Sequence, residues 1–265
     1  MRCFLLTFLL HVMIMKSQRL RYFLFHVAIS ACLVGSAIAL ILLLWYPSPF
    51  AQLEGIYRIL AVLAFVDVCA GPLCTLVAVS PGKPTRELRR DLAIIATIQL
   101  VALSYGLYTS FSARPVYVVY NVGVFELEHA NELTAEEIAK VASPEFASIP
   151  LTGPRFVEGR FPEDKGEAMK IVQSATSGGP DIKDMPRYFV AWPYEDSEAR
   201  SKGKPVLKLP ETNPLRGKAM DLLKSAGVDP ADALALLITG KVEPGTVVLK
   251  KSDLNIVGII PYLAP

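Results

Sequence analysis

YFLFHVAISACLVGSAIALILLLWY, residues 22–46, contains no Asp, Glu, Lys or Arg and is long enough at the helical rise to cross the hydrocarbon core of a bilayer. Two stretches of the same character follow, YRILAVLAFVDVCAGPLCTLVAV at 57–79 and LAIIATIQLVALSYGLYTSFS at 92–112. Each holds about 20 mostly apolar residues, more than a core helix of a water-soluble protein requires. The fold class predicted is an α-helical membrane domain of three transmembrane helices, 22–112, behind a cytoplasmic segment, 1–21. Charged residues are sparse up to Ser112 and frequent after it, so 113–265 reads as a separate soluble domain.

Orientation follows from the basic residues beside the spans, which are retained on the cytoplasmic side. Lys16, Arg19 and Arg21 precede the first span, and Lys83, Arg86, Arg89 and Arg90 fill the loop between the second and third. The loop YPSPFAQLEGI carries no basic residue before Arg58. The N-terminus is therefore expected inside and 113–265 in the periplasm, with Trp45 and Tyr46 at the outer interface. The first 14 residues, MRCFLLTFLLHVMI, are apolar but short. They read as a signal-peptide core without a cleavage site, an interfacial segment, or an upstream extension of a chain that starts at Met15, the last being favoured.

In the soluble half, VYVVYNVGVFELEHA after Pro115 reads as strand, turn at Asn121-Val122-Gly123, and strand. Thr134 with Glu137 has capping-box spacing for a helix over 135–141. The Pro- and Gly-rich segment 143–162 reads as an irregular connection. Further helices are predicted at 163–176, at 214–226 closed by Gly227, and at 231–238, where Asp229 caps and Pro230 suits a first turn. TVVLKK and LNIVGIIPY form a closing hairpin, so the domain is expected to be α+β.

The formal net charge of +2, without a basic run interleaved with aromatics, excludes a nucleic-acid surface. Cys3, Cys32, Cys69 and Cys74 all precede Ser112, leaving the soluble half without a disulfide. His11, His26 and His129 share no metal-ligand spacing, and neither a nucleophile elbow nor a phosphate-binding loop is present. No catalytic, cofactor or metal site is therefore predicted. Asp67, near the middle of the second span, is the exception to a bland membrane half, because an ionisable group at that depth normally faces other helices or a partner. It either packs the spans through a local hydrogen bond or docks a polar or cationic group of a partner helix. Gly71 lies four residues on, on the same face, and Pro72 predicts a kink. Ala31, Gly35 and Ala39 make a flat helix face, read first as internal packing. Gln99 is assigned internal contacts, and His26 is placed near the opposite end of its span from Asp67.

The chain resembles the type IV pilin accessory proteins of the TfpX/TfpZ kind in LLLWYPSPF, in VDVCAGPLCTLV with Asp67, Gly71 and Pro72, in SPGKPTRELRRDLAIIATIQLVALSYGLYT and in ARPVYVVYNVGVFELEHANEL. Agreement at 151–154 and in the final hairpin is looser, and 214–238 is unmatched. The resemblance implies a non-enzymatic protein of the bacterial inner membrane, a chaperone or assembly factor. It would contact a type IV pilin, other pilus assembly proteins and membrane lipid. The alternative is a membrane-anchored periplasmic ligand-binding or sensor protein, and comparison of outer domains with neighbouring pilins separates the two.

Overall fold

In a computed structural model of the protein, residues 2–80, 82–195 and 197–261 are described, with side chains from residue 18 on. The expected start at Met15 lies outside the described side chains. The helices are α1 (Arg2–Leu40), α2 (Phe50–Leu53), α3 (Tyr57–Ala64), α4 (Gly71–Ala78), α5 (Thr85–Ser112), α6 (Ala135–Ala139), α7 (Lys165–Thr176), α8 (Ala199–Lys202) and α9 (Pro214–Ala226). The strands are β1 (Pro115–Asn121), β2 (Val124–His129), β3 (Arg155–Gly159), β4 (Phe189–Ala191), β5 (Lys204–Pro205), β6 (Ala233–Thr239), β7 (Pro244–Lys250) and β8 (Ile256–Pro261). The chain divides into two units: Met1–Ile41 with Tyr57–Ser110, and Leu42–Ile56 with Phe111–Pro265.

Among the described residues, three helical stretches are long and apolar enough to cross a membrane: Gln18–Trp45, Tyr57–Ala78 and Thr85–Ser112. In the helical unit α1 turns Ser30, Val34, Ala37 and Ile41 inward, while Ala31, Gly35 and Ala39 are exposed. A Cβ built on Gly35 would meet nothing within 4 Å. Among the described residues, the face that packs is thus the neighbouring one, a third of a turn from the small-residue stripe. Helix α5 approaches α3 at Gly106, where an added Cβ would come 2.6 Å from Leu63 Cδ1. Lys83 pairs with Asp91 and donates to the Ala78 carbonyl at 3.2 Å, placing a cation at the C-terminal end of α4.

The second unit is a mixed sheet of order β4-β3-β1-β2-β6-β7-β8, with β5 added beside β6. β1 pairs with β3 and β2 with β6 in parallel; the other pairings are antiparallel. β1 is buried on both faces, with Val118 and Tyr120 in one cluster and Tyr117 and Val119 in another. The β1–β2 turn places Val122 at φ 42 and Gly123 at φ 99, the doubly left-handed geometry of a tight hairpin. Helix α9, ended by left-handed Gly227 as its sequence requires, packs Leu215, Ala219 and Leu223 against β6, β7 and β8.

Two expectations are corrected here. Residues 231–238 are not a helix: Asp229 caps a single 3-10 turn, Pro230–Asp232, and the chain then enters β6. Leu and Ala favour helix, but ALALLIT is apolar on every side and occupies a sheet interior between β2 and β7, where tertiary burial overrides propensity. The connection at 143–162 likewise contains a strand, β3, whose Val157 is buried.

Leu42–Ile56 is a structural part of the sheet unit. Phe50 and Leu53 insert into the cluster formed by Phe125, Leu236, Ile238 and Val247. The Leu53 carbonyl accepts from the amides of Val242 and Glu243 at 3.1 and 3.2 Å. Glu54 accepts from the Lys241 amide at 3.1 Å and lies 2.7 Å from His129 Nε2. A Cβ on Gly240 would sit 2.6 Å from the Leu53 carbonyl oxygen, so a side chain there would expel the segment.

Candidate partner-helix site

Between α3 and α4 the helix widens over Phe65–Ala70, where the Gly71 amide reaches back to the Val66 carbonyl, five residues away. The next donor in that register would serve the carbonyl of Asp67, but position 72 is proline and has no N–H. The Asp67 carbonyl is therefore an orphan inside an apolar bundle, where an unmet backbone acceptor is costly. Gln99 of α5 meets it: its carboxamide nitrogen donates to the Asp67 carbonyl at 2.9 Å and to Asp67 Oδ1 at 3.4 Å. Gly71 is what permits this approach, since a Cβ there would overlap the Gln99 carboxamide.

The polar chain continues from Gln99. Its Oε1 lies 2.7 Å from His26 Nε2, and His26 Nδ1 lies 2.6 Å from the Thr75 hydroxyl. Because the Gln99 amide nitrogen is spent on Asp67, its Oε1 accepts from His26 Nε2–H, and the chain runs from His26 through Gln99 to Asp67. The sequence reading set His26 apart from Asp67 by depth; His26 meets Thr75, eight residues beyond Asp67, and the long Gln99 side chain spans the difference. Thr75, which that reading left aside, continues the i, i+4 series Asp67, Gly71, Thr75 and carried the missing signal.

This chain of donors stops at Asp67. The residue is 4% exposed, and among the described residues its Oδ2 has no hydrogen-bond partner. It lines a cleft of ≈ 190 Å³ whose other walls include Ser30, Leu33, Val34, Leu100 and Leu103. Asp67, Gly71 and Pro72 are thus brought together at one polar locus, whereas Ala31, Gly35 and Ala39 lie on a separate face. Cys32, Cys69 and Cys74 are free thiols.

The sheet unit holds two charged clusters. His129 is clasped between Glu54 and Glu132, at 2.7 and 2.8 Å. Burial opposes its protonation, but the hydrogen bonds to Glu132 and Glu54 outweigh this and raise its pKa. The same contact holds the Glu132 carboxyl well below the usual carboxylate range, with help from Lys241. Glu128, fully buried, meets Lys183 at 2.9 Å through one oxygen while the other is unpaired. Burial outweighs the lysine and pushes its carboxyl up to about 8. Among the described residues no group of three or more His, Cys, Asp or Glu side chains is placed to hold a metal ion.

The family model described as "Fimbrial assembly protein FimB" matches residues 15–55. The chain is similar to two proteins of Dichelobacter nodosus, the fimbrial assembly proteins of serogroups I and E1, each 31% identical over 185 residues, 70% of either chain. The corresponding protein of serogroups C1 and C2 is 32% identical over 117 residues, 44% of this chain and 86% of its own. No solved structure matches. The chain belongs to the fimbrial assembly protein family.

Proposed function

We propose that this protein is a non-catalytic accessory factor of type IV pilus biogenesis that resides in the bacterial inner membrane and holds pilin before or during assembly. Family membership supports the role in assembly. In this reading the three apolar helices cross the membrane with the N-terminus in the cytoplasm, and the sheet unit stands in the periplasm. The inclusion of both Leu42–Ile56 and Phe111–Pro265 in one unit supports that topology, because the two segments must then lie on the same side.

The observation that carries the holding role is the unpaired Asp67 Oδ2 in an otherwise apolar cleft. A buried acceptor left open among helices favours a partner that supplies a donor. The transmembrane helix of an unassembled pilin is the partner proposed, with its globular head engaging the sheet unit. Cells lacking the protein should lose surface piliation and accumulate less pilin, and the tagged protein should crosslink to pilin. Normal piliation with no crosslink refutes the proposal. Asp67→Asn should weaken the crosslink; unchanged pilin levels and piliation would remove Asp67 from the site.

A further inference from the structure

We infer that the Asp67 cleft accepts one positively charged group, an ammonium or guanidinium, carried by a partner chain at membrane depth. This deepens the holding role above by naming the chemistry of what is held. The direction of the hydrogen-bond relay carries the inference. Gln99 turns its Oε1 to His26 and its amide nitrogen to Asp67, so the series delivers two hydrogen bonds to Asp67 and, among the described residues, ends on a bare acceptor, Oδ2. His26, Ser30 and Gln99 are the other polar residues at the cleft, and no Lys or Arg is among its lining residues. The atom left open at the cleft is therefore a carboxylate oxygen, which suits a positively charged group.

Size restricts the occupant further. An apolar cavity of roughly 150 Å³ takes one benzene-sized molecule. At ≈ 190 Å³ this cleft admits the end of a single long side chain or a chain terminus, not a second helix. Leu33, Val34, Leu100 and Leu103 suit the methylene stem of such a side chain, with the charged head at Asp67.

The test uses the full-length protein in detergent with its four native cysteines replaced by alanine and Leu100→Cys placed on the cleft wall. Reaction rates are compared for cationic 2-aminoethyl and anionic 2-sulfonatoethyl methanethiosulfonate, and their ratio cancels differences in thiol reactivity. The ratio should favour the cation, persist in Asp67→Glu, and fall by about tenfold in Asp67→Asn, as expected for loss of one nearby charge in a partly screened site. An equal ratio with Asp and Asn at position 67 overturns the inference. The same cysteine, converted to a photocrosslinker in cells, should capture pilin. Failure of that capture with the charge preference intact would refute pilin as the partner while leaving the cation site standing.

Discussion

Leu53→Ala should destabilise the sheet unit although the residue lies far from it in sequence, between the first two apolar helices. Leu53 is fully buried against Phe125, Leu236, Ile238 and Val247. Its carbonyl bonds to Val242 and Glu243 survive the substitution, so the loss is that of side-chain packing. Deleting a leucine side chain from a filled core costs roughly 3 kcal/mol, within a range of about 2–5. At ~2–4 °C per kcal/mol for a unit of this size, the melting temperature should drop by ~6–12 °C. Both tryptophans of the chain, Trp45 and Trp192, belong to this unit. Their fluorescence during thermal or denaturant unfolding in detergent therefore follows it without contribution from the helical unit. Leu44→Ala, at an exposed site on the same segment, is the control and should change stability by less than about 0.5 kcal/mol. If Leu53→Ala matches that control, the segment is not part of the core and the reasoning is wrong.

Three further outcomes are expected. Gln99→Leu strips the Asp67 carbonyl and His26 of their partner and should weaken α5 association by about 1–2 kcal/mol, read by denaturation in mixed micelles. Gly71→Ala, which displaces the same carboxamide, should add little on top of it in a double-mutant cycle. Val122→Asn should stabilise the sheet unit by about 1 kcal/mol, since a β-branched residue at φ 42 is disfavoured and Asn tolerates it; an unchanged melting temperature would refute this. The native state holds extra protons on Glu128 and His129, whose pKa values are raised, so the stability they confer is full at low pH and is lost as pH rises. For Glu128 that loss runs from about 4.5 to about 8. Glu132, with a lowered pKa, acts oppositely and loses its contribution below about 4.5. Stability should therefore peak on the acid side of neutrality, and Glu128→Gln should flatten the alkaline decline in pH-dependent melting curves.

The three apolar helices, the β1–β2 hairpin and the capped α7 and α9 were legible because each is specified by a local pattern: unbroken apolar length, alternation about Val122-Gly123, or a capping Asp or Asn. β6 was misread because its deciding contacts, with β2 and β7, are remote, while its local signals of Asp, Pro, Ala and Leu all belong to a helix start. Asp67, Gly71 and Pro72 stood out as an acid and a helix breaker at one depth, but why they stand together was not visible. The reason lies 27 residues beyond Pro72, in Gln99, whose carboxamide replaces the hydrogen bond that proline cannot make. Ala31, Gly35 and Ala39 show the converse limit. Small residues at four-residue spacing report that a close approach is possible, and the sequence cannot say on which neighbour it is realised.

The insertion of α2 into the sheet also fixes an order of events during synthesis. Phe50 and Leu53 are made roughly 200 residues before Leu249, a late member of the same core cluster, an interval of ~10–40 s at ordinary rates of elongation. Throughout that time the core that receives the two side chains is incomplete. The sheet unit consequently closes around a segment made well before most of it.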